Sequence, residues 1–145
     1  MKRSGKLSLA LHSLGHLALT DGPMTSEAIA AQNHTHPVVV RRVLGRLRQA
    51  GLLRSEKGHA GGWQLACPPE NISVAQVYAA IDEPFLVAHP VLPTADTGCA
   101  IVGAMQSIVN AAMTEAEAVL RRHFAQQTIA DLARAMHRNV PTDHG

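Results

Sequence analysis

The spacing of hydrophobic residues predicts a helix between positions 37 and 49. Apolar residues recur there at intervals of three and four, as on one face of an amphipathic helix: Val40, Val43, Leu44 and Leu47. Pro37 suits the first helical position, with Thr35 or His36 as the capping residue, and Gly51 suits the left-handed backbone that often ends a helix. The opposite face is basic, so one side is suited to a core and the other to a partner.

A hairpin is predicted directly after this helix. Residues 52–54 and 63–65 alternate between apolar and polar side chains like two short strands, and the turn between them is rich in glycine: Gly58, Gly61 and Gly62. A basic helix followed by a hairpin of this kind is typical of a winged helix-turn-helix DNA-binding domain, with the helix as recognition helix and the hairpin as wing.

The same reasoning predicts the rest of the fold, which is mainly α with a small β-hairpin wing. Further helices are expected at residues 4–19, 26–32, 74–81, 99–125 and 128–138, with Thr25, Ser73 and Thr128 as N-caps. Prolines interrupt the segment before the long helix. The predicted organisation is a winged helix-turn-helix domain at 1–82, a linker at 83–98, dimerisation helices at 99–139 and a disordered tail at 140–145.

Charge is distributed unevenly along the chain. Residues 1–62 carry nine Lys and Arg against three Asp and Glu, a net charge of +6, whereas residues 63–145 carry four against eight, a net charge of −4. This asymmetry is expected when a DNA-binding unit is joined to a unit with another task. Gly45 lies on the basic face of the predicted recognition helix, where it costs about 1 kcal/mol relative to Ala. We therefore expect another molecule to approach the helix closely there.

Composition and motifs argue against several other classes of protein. The apolar runs are too short and interrupted to span a bilayer, and no small-residue cleavage site follows the N-terminal apolar stretch, so we expect a cytoplasmic protein without membrane contact. The glycines lie between two strands, no serine lies in a nucleophile elbow and the acids are scattered, so we expect no enzyme. The two cysteines, Cys67 and Cys99, provide no disulfide framework.

The helix at 99–125 has two apolar stripes. One comprises Ile101, Met105, Ile108 and Ala112, and the other Val102, Val109, Met113, Leu120 and Phe124. Such a helix needs two partners: one is its own domain, and the other is most simply the same helix of a second copy. Full burial within one monomer is the alternative. The predicted dimer interface comprises Ile101, Val102, Met105, Ile108, Val109, Met113 and Leu120, and a dimer of this kind matches a pseudo-palindromic duplex with half-sites about one helical turn apart.

At residues 41–82 the chain reads RRVLGRLRQAGLLRSEKGHAGGWQLACPPENISVAQVYAAID. This run resembles the Rrf2 family of bacterial winged-helix regulators, the group that includes the IscR, NsrR and CymR types. The resemblance extends over nearly the whole chain and is greatest to the YwnA-like branch, which lacks cluster cysteines. It implies a homodimeric transcriptional regulator, usually a repressor, whose recognition helix enters the major groove of double-stranded DNA and whose wing contacts the minor groove.

The resemblance also assigns roles to individual residues. Val38, Arg41 and Arg42 are expected to face base edges or nearby phosphates, and His59 belongs to the wing tip. The remaining predicted contacts are to phosphates: Arg46, Arg48, Arg54 and Lys57. The tip Gly-His-Ala-Gly-Gly-Trp departs from the bare Gly-Pro-Gly-Gly type common in the family, so the resemblance specifies the wing contacts less closely than the helix contacts.

The family's cluster-binding members use three cysteines around the start of the long helix. This chain has only Cys99 there, so we expect no iron–sulfur cluster and no other cofactor. Near a helix N-terminus Cys99 is a candidate redox switch, because the helix dipole favours thiolate; inert packing is the alternative. A small ligand in the cleft between the DNA-binding unit and the long helix is equally open, and Cys67 is expected to be structural.

Nine histidines raise the question of a metal site. Only His12 and His16 have the i, i+4 spacing of a helical pair, and one pair without a third ligand nearby is more often a surface or packing feature, so no metal is expected. The main competing function is that of a winged-helix adaptor that contacts protein without sequence-specific DNA binding. The four arginines at positions 41, 42, 46 and 48 favour DNA instead.

Overall fold

The computed structural model describes residues 5–57, 61–86 and 100–139. These ranges form six α-helices and one two-stranded antiparallel hairpin, which confirms the predicted mainly α fold. The elements are α1 Gly5–Leu19, α2 Ser26–Gln32, α3 Pro37–Gln49, β1 Leu53–Glu56, β2 Gly62–Leu65, α4 Val74–Ile81, α5 Ala100–Ala125 and α6 Ile129–Arg138. A single 3₁₀ turn, Pro69–Asn71, precedes α4.

Helices α2 and α3 form a helix-turn-helix. Thr25 caps α2 as predicted, because its hydroxyl accepts the backbone N–H of Ala28 at 3.1 Å. The turn between the helices includes His34, whose positive φ of 52° reverses the chain. Of the two candidate caps of α3, His36 occupies the N-cap position, but its side chain makes no capping hydrogen bond. Pro37 therefore defines the start of α3 without help from a side-chain cap.

The hairpin is attached to the helices by its second strand. Leu53 pairs with Leu65 and Glu56 with Gly62, and Trp63 in turn exchanges two backbone hydrogen bonds with Met24, at 2.8 and 3.1 Å. Gly62 is required by this contact, because a Cβ built there would lie 2.6 Å from the carbonyl oxygen of Met24. The wing is thus fixed to the segment that enters α2.

One aliphatic core joins the N-terminal helices, the hairpin, α4 and α6. Its fully buried side chains include Leu14, Ile29, Leu44, Leu47, Ile72, Ile81 and Ile129. Helix α6 packs against α1, where Gly15 leaves room for Met136. The backbone N–H of Ile129 also donates to the carbonyl of Ile72 at 2.9 Å. Although α6 lies in the range assigned from sequence to dimerisation helices, it completes the core of the N-terminal unit.

Helix α5 contacts this core only through its second half. Leu120 and Phe124 pack against the core, and Phe124 meets the ring of Tyr78 at 5.4 Å between centroids. The Tyr78 hydroxyl donates to Glu117 on α5 at 3.2 Å and accepts the backbone N–H of Phe85 at 2.9 Å. Burial raises the pKa of Tyr78 above its usual value near 10, so the phenol remains a donor to Glu117 at neutral pH.

No helix within the described ranges combines the length and the apolarity that crossing a membrane requires. The longest, α5, has 26 residues but is interrupted by charged side chains in its second half.

Candidate nucleic-acid interface

Helix α3 has a buried face and a basic exposed face. The four apolar residues predicted for the core are all buried, with no more than 2% exposure: Val40, Val43, Leu44 and Leu47. On the other face Arg41 and Arg42 are exposed, and Val38 in the first turn is 58% exposed. The helix therefore presents its N-terminal half to solvent as a cationic surface with one apolar side chain beside it.

Arg41 is held by an acidic neighbour on α2. Its guanidinium donates to Glu27 at 2.7 Å, and more than half of each side chain is exposed. An ion pair this exposed contributes about 0–1 kcal/mol, since water screens it. Arg41 is therefore positioned across the helix-turn-helix at little energetic cost and remains able to exchange Glu27 for a phosphate.

Arg42 and Lys57 have no such partner. Within residues 5–57, 61–86 and 100–139 neither side chain makes a hydrogen bond or an ion pair, and both are exposed. Their positive charges are uncompensated locally. Of the predicted DNA-binding residues, these two offer the charge that is most readily available to an anionic ligand.

Of two further predicted arginines, Arg48 links the helix to the wing and Arg54 lies within the wing. The Arg48 guanidinium donates to the Ser55 hydroxyl at 2.9 Å and lies 5.9 Å from the centre of the Trp63 ring. Arg54 on β1 donates to the Gln64 side chain on β2 at 3.3 Å. Both hydrogen bonds are exposed: Arg48 joins the C-terminal end of α3 to the hairpin, whereas Arg54 lies on the other face of the hairpin, near the end of α1.

The structure gives Arg46 a different role from the predicted phosphate contact. Its guanidinium donates to the backbone carbonyl of Ile81 at 2.8 Å, across to the last residue of α4. Carbonyls at a helix C-terminus lack intrahelical donors, so a neighbouring arginine is a suitable partner. Arg46 therefore links α3 to the end of α4, although the residue as a whole remains exposed.

Other predicted site residues are distributed as follows. His59 at the wing tip and Cys99 lie outside the described residues. Four predicted dimer-interface residues form an exposed stripe on α5: Ile101 (68%), Met105 (59%), Ile108 (71%) and Val109 (49%). Val102 and Met113 are half-buried. Leu120 packs against the core of its own chain, so it joins α5 to the domain and does not extend the exposed stripe.

Sequence reasoning missed the residues that hold the interface in shape. The Trp63 ring N–H donates to the buried Ser26 hydroxyl at 2.9 Å, which anchors the wing to the start of α2. Glu27, the acid in the first turn of α2, positions Arg41. Only Glu27 has a signal in the sequence, as an acid in the first turn of a helix. The hydrogen bond between Trp63 and Ser26 has none, because it joins residues 37 positions apart.

Comparison with known proteins finds relatives over nearly the whole chain. The family model described as Rrf2, iron-dependent transcriptional regulator, matches residues 3–135. YwnA of Bacillus subtilis, named an HTH-type transcriptional regulator, is 28% identical over 132 residues, covering 89% of this chain and 95% of YwnA. Protein slr0846 of Synechocystis sp., named likewise, is 35% identical over 85 residues. That match covers 57% of this chain, and the chain spans only 58% of the length of slr0846.

A solved structure agrees with these relatives. CymR of B. subtilis, described as the global cysteine regulator of that bacterium, superposes with a TM-score of 0.64 at 25% sequence identity. The superposition covers 93% of this chain and 98% of CymR. The arrangement of helix-turn-helix, hairpin and long helix is therefore shared along the chain rather than limited to one element.

Proposed function

Because the chain belongs to the Rrf2 family of transcriptional regulators, we propose that it binds specific DNA sequences as a homodimer and represses transcription. The observation that carries this proposal is the exposed face of α3, where Arg41 and Arg42 project beside the solvent-facing Val38. An α-helix fits the major groove, where arginine reads guanine and an apolar side chain contacts the thymine methyl group. Such a role belongs in the cytoplasm of a bacterial cell.

The hairpin supports a second contact with the same duplex. Arg48 lies between α3 and the wing, Arg54 is exposed on the wing itself, and Lys57 follows β1 toward the wing tip. Cationic side chains in these places suit the phosphates beside the groove that α3 enters and the adjacent minor groove. These contacts fix the register of the protein, whereas the residues on α3 supply sequence preference.

The exposed stripe on α5 supports dimerisation. Ile101, Met105 and Ile108 are spaced as one helical face, and each is more than half exposed. Leaving several large apolar side chains together in water is unfavourable, at roughly 25 cal/mol for each Å² of apolar surface. The same stripe on a second copy covers it by two-fold symmetry, and the paired domains then match a pseudo-palindromic operator.

The family description names iron, but the donor set here does not fit an iron–sulfur cluster held by cysteine. The whole chain has two cysteines, and Cys67 is half-buried beside the core at the end of the wing. That leaves Cys99 as a single thiol near the start of α5, whereas cysteine-held clusters use several thiolates. We propose that regulation, where it occurs, acts through oxidation of Cys99 or through a small ligand.

The test is binding of the purified chain to the DNA upstream of its own gene, measured by fluorescence anisotropy across a salt series. Specific regulation predicts tight binding that falls steeply with salt and exceeds binding to a scrambled duplex. Replacing both Arg41 and Arg42 by Ala should weaken specific binding by about 1 kcal/mol or more for each residue that reaches a base. Arg122→Ala, on the exposed surface of α5, is the matched control.

Two outcomes would count against this proposal. Weak binding that is equal for all sequences indicates a protein-interaction adaptor rather than a sequence-specific regulator. Unchanged affinity in the double arginine variant means that α3 is not the reading helix. The same assay with reduced and oxidised protein, and with Cys99→Ser, tests whether oxidation modulates binding. A redox effect that survives Cys99→Ser excludes that cysteine as the switch.

A further inference from the structure

Two histidines on α1 converge on one point outside the DNA-binding face. His12 and His16 are one helical turn apart, their Nε2 atoms are separated by 3.0 Å, and their rings are nearly perpendicular at 89°. Both side chains are partly exposed to solvent. The i, i+4 spacing alone favours packing, but it does not specify which ring nitrogens face each other. Here each ring directs Nε2 toward the other.

A neighbouring asparagine determines which nitrogen of His12 carries the proton. The Asn33 amide nitrogen donates to the carbonyl of Ile29 at 2.9 Å, which leaves its Oδ1 facing His12 Nδ1 at 2.7 Å. Because Oδ1 only accepts hydrogen bonds, Nδ1 of His12 must be the donor. The Nε2 atom of the neutral ring is then unprotonated, with its lone pair directed at His16. Metal-binding histidines are oriented in the same way, by donating the other ring N–H to an oxygen.

We propose that His12 and His16 form a chelating site for a divalent transition-metal ion that prefers imidazole nitrogen, such as Zn²⁺ or Ni²⁺. Two nitrogens bound to one such ion at about 2.0–2.1 Å lie about 2.8–3.4 Å apart for angles between 90° and 110°. The observed 3.0 Å separation of the two Nε2 atoms is within this range. The spacing therefore suits one ion; to bind it, His16 must move its ring proton from Nε2 to Nδ1 and both rings must turn their Nε2 lone pairs toward it.

The site is a two-ligand chelate with open coordination positions. Within the part of the chain that the structure describes, no third His, Cys, Asp or Glu joins the pair in a group that could hold a metal ion. A cavity of about 680 Å³ is lined by His12 and by Asn33, its partner at Nδ1, but not by His16. Besides His12, the charged and titratable residues that line this cavity are His34, Lys6 and Glu83. Lys6 and Glu83 form an ion pair with each other at 3.1 Å.

Metal binding here would strengthen the link between α1 and the helix-turn-helix. Asn33 is the C-cap of α2 and begins the turn that leads into α3, so its bond to His12 joins the chelate to that turn. A metal ion at Nε2 polarises the imidazole and strengthens the hydrogen bond that Nδ1–H of His12 donates to the Asn33 oxygen. We therefore expect ion binding to hold the turn between α2 and α3 more firmly against α1.

The test uses the untagged full chain, Zn²⁺ alone and nitrogen-15 NMR of the histidine rings, with affinity from calorimetry. We expect the Nε2 resonances of His12 and His16 to shift together on addition of one equivalent. His12→Gln and His16→Gln should each lower the affinity at this site at least tenfold, whereas His123→Gln, an exposed histidine on α5, should leave it unchanged. Asn33→Ala keeps both ligands and should weaken binding about tenfold.

A direct hydrogen bond between the two rings, without metal binding, is the competing arrangement. It predicts ring resonances of His12 and His16 that do not respond to Zn²⁺, and equal affinities in all variants; either result overturns the proposal. The NMR measurement uses the unmodified chain, so it remains decisive even where a variant does not fold. It also distinguishes this site from zinc bound elsewhere, because the responding histidines are identified individually.

Discussion

Arg41 and Arg42 are adjacent on α3, yet they have different surroundings. Arg41 is paired with Glu27 at 2.7 Å, whereas Arg42 has no partner within the described residues. A carboxylate beside the DNA-binding face repels phosphate and competes for the arginine. Glu27 therefore limits the affinity of this face for DNA while it holds Arg41 in position.

Glu27→Gln is accordingly expected to increase affinity for DNA. The gain should reach up to about fivefold at low salt, since an exposed pair contributes about 0–1 kcal/mol, and it should diminish at high salt. Anisotropy with specific and scrambled duplexes measures the effect. Glu70→Gln, in the exposed 3₁₀ turn, is the matched loss of one negative charge. Equal gains in both variants would attribute the effect to net charge rather than to Arg41.

Gly45 offers a second test at the scale of one residue. A Cβ added there meets no atom within 4 Å, so Gly45→Ala should stabilise the helix by about 1 kcal/mol. If DNA approaches α3 closely at this position, the same methyl group lowers DNA affinity. Gly103→Ala on α5, where the space is equally open, should raise stability without affecting DNA binding. Thermal unfolding and anisotropy on the two variants measure both effects.

Individual side chains show where sequence reasoning stopped. Val40, Val43 and the other members of the apolar stripe on α3 were predictable, because helical periodicity alone separates the buried from the exposed face. The hydrogen bond of Arg46 was not predictable, because its partner is the Ile81 carbonyl at the end of α4, 35 positions away. Periodicity carries no information about which helix end lies nearby. The ring orientation of His12 likewise depends on Asn33, 21 positions away.

At the scale of elements, α6 illustrates how local signals define a helix. Thr128 and Asp131 form a capping box: the Thr128 hydroxyl accepts the Asp131 N–H at 3.2 Å, and the Asp131 carboxylate accepts the Thr128 N–H at 2.9 Å. Both residues lie within one turn, so the start of α6 was predictable. Its packing on α1 was not, since contacts between distant elements have no signature in a local window.

The capping box makes the stability of the protein depend on pH. The hydrogen bond from the Thr128 backbone N–H, followed by that from its hydroxyl and the pair with Arg134, lowers the pKa of Asp131 below its usual value near 3.8. A carboxyl with a lowered pKa stabilises the folded state when ionised, so this contribution is present at neutral pH and is lost below about pH 3.8 as the pH falls through the lowered pKa.

Urea unfolding of the wild type and of Asp131→Asn between pH 6 and pH 3 measures this contribution. The wild type should be more stable at pH 6, and the difference should begin to shrink near pH 3.8, where the carboxyl of the unfolded chain takes up its proton, and shrink further as the pH falls. Thr128→Ala, which removes the reciprocal cap, should cost about 1 kcal/mol at neutral pH. A difference between wild type and Asp131→Asn that is constant with pH would contradict the role of the carboxylate.

At the scale of the whole molecule, the first half of α5 carries an apolar stripe that the rest of the described chain leaves exposed. Ile108 is 71% exposed, and Ile101 and Met105 share its face. The sequence pattern predicted two apolar stripes but assigned Leu120 to the dimer, whereas the structure packs it on the core. Periodicity shows that a helix has two apolar faces; it does not show where along the helix each partner ends.

Ile108→Glu is expected to convert the proposed dimer to a monomer, because the charge would be placed in the centre of an apolar interface. Domain stability should change little, since this side chain makes no contact with the core. Light scattering after size exclusion measures the assembly, and circular dichroism checks the fold. Gln106→Glu, exposed on another face of α5, is the control. A monomeric wild type, or a dimeric Ile108→Glu variant, would exclude this stripe as the interface.

The contact between Gly15 on α1 and Met136 on α6 also determines when the protein can fold during its synthesis. Helix α1 leaves the ribosome early, but the element that covers it is translated only after α5. The DNA-binding unit therefore remains incompletely packed until α6, the last described helix, has been made, and such unfinished chains are prone to aggregation and degradation. A product truncated before α5 would keep most of the core residues but would lack Ile129, the cover that α6 gives to α1, and the partner helix α5. Premature termination should therefore remove the regulator from the cell rather than leave a free DNA-binding fragment that competes for operators.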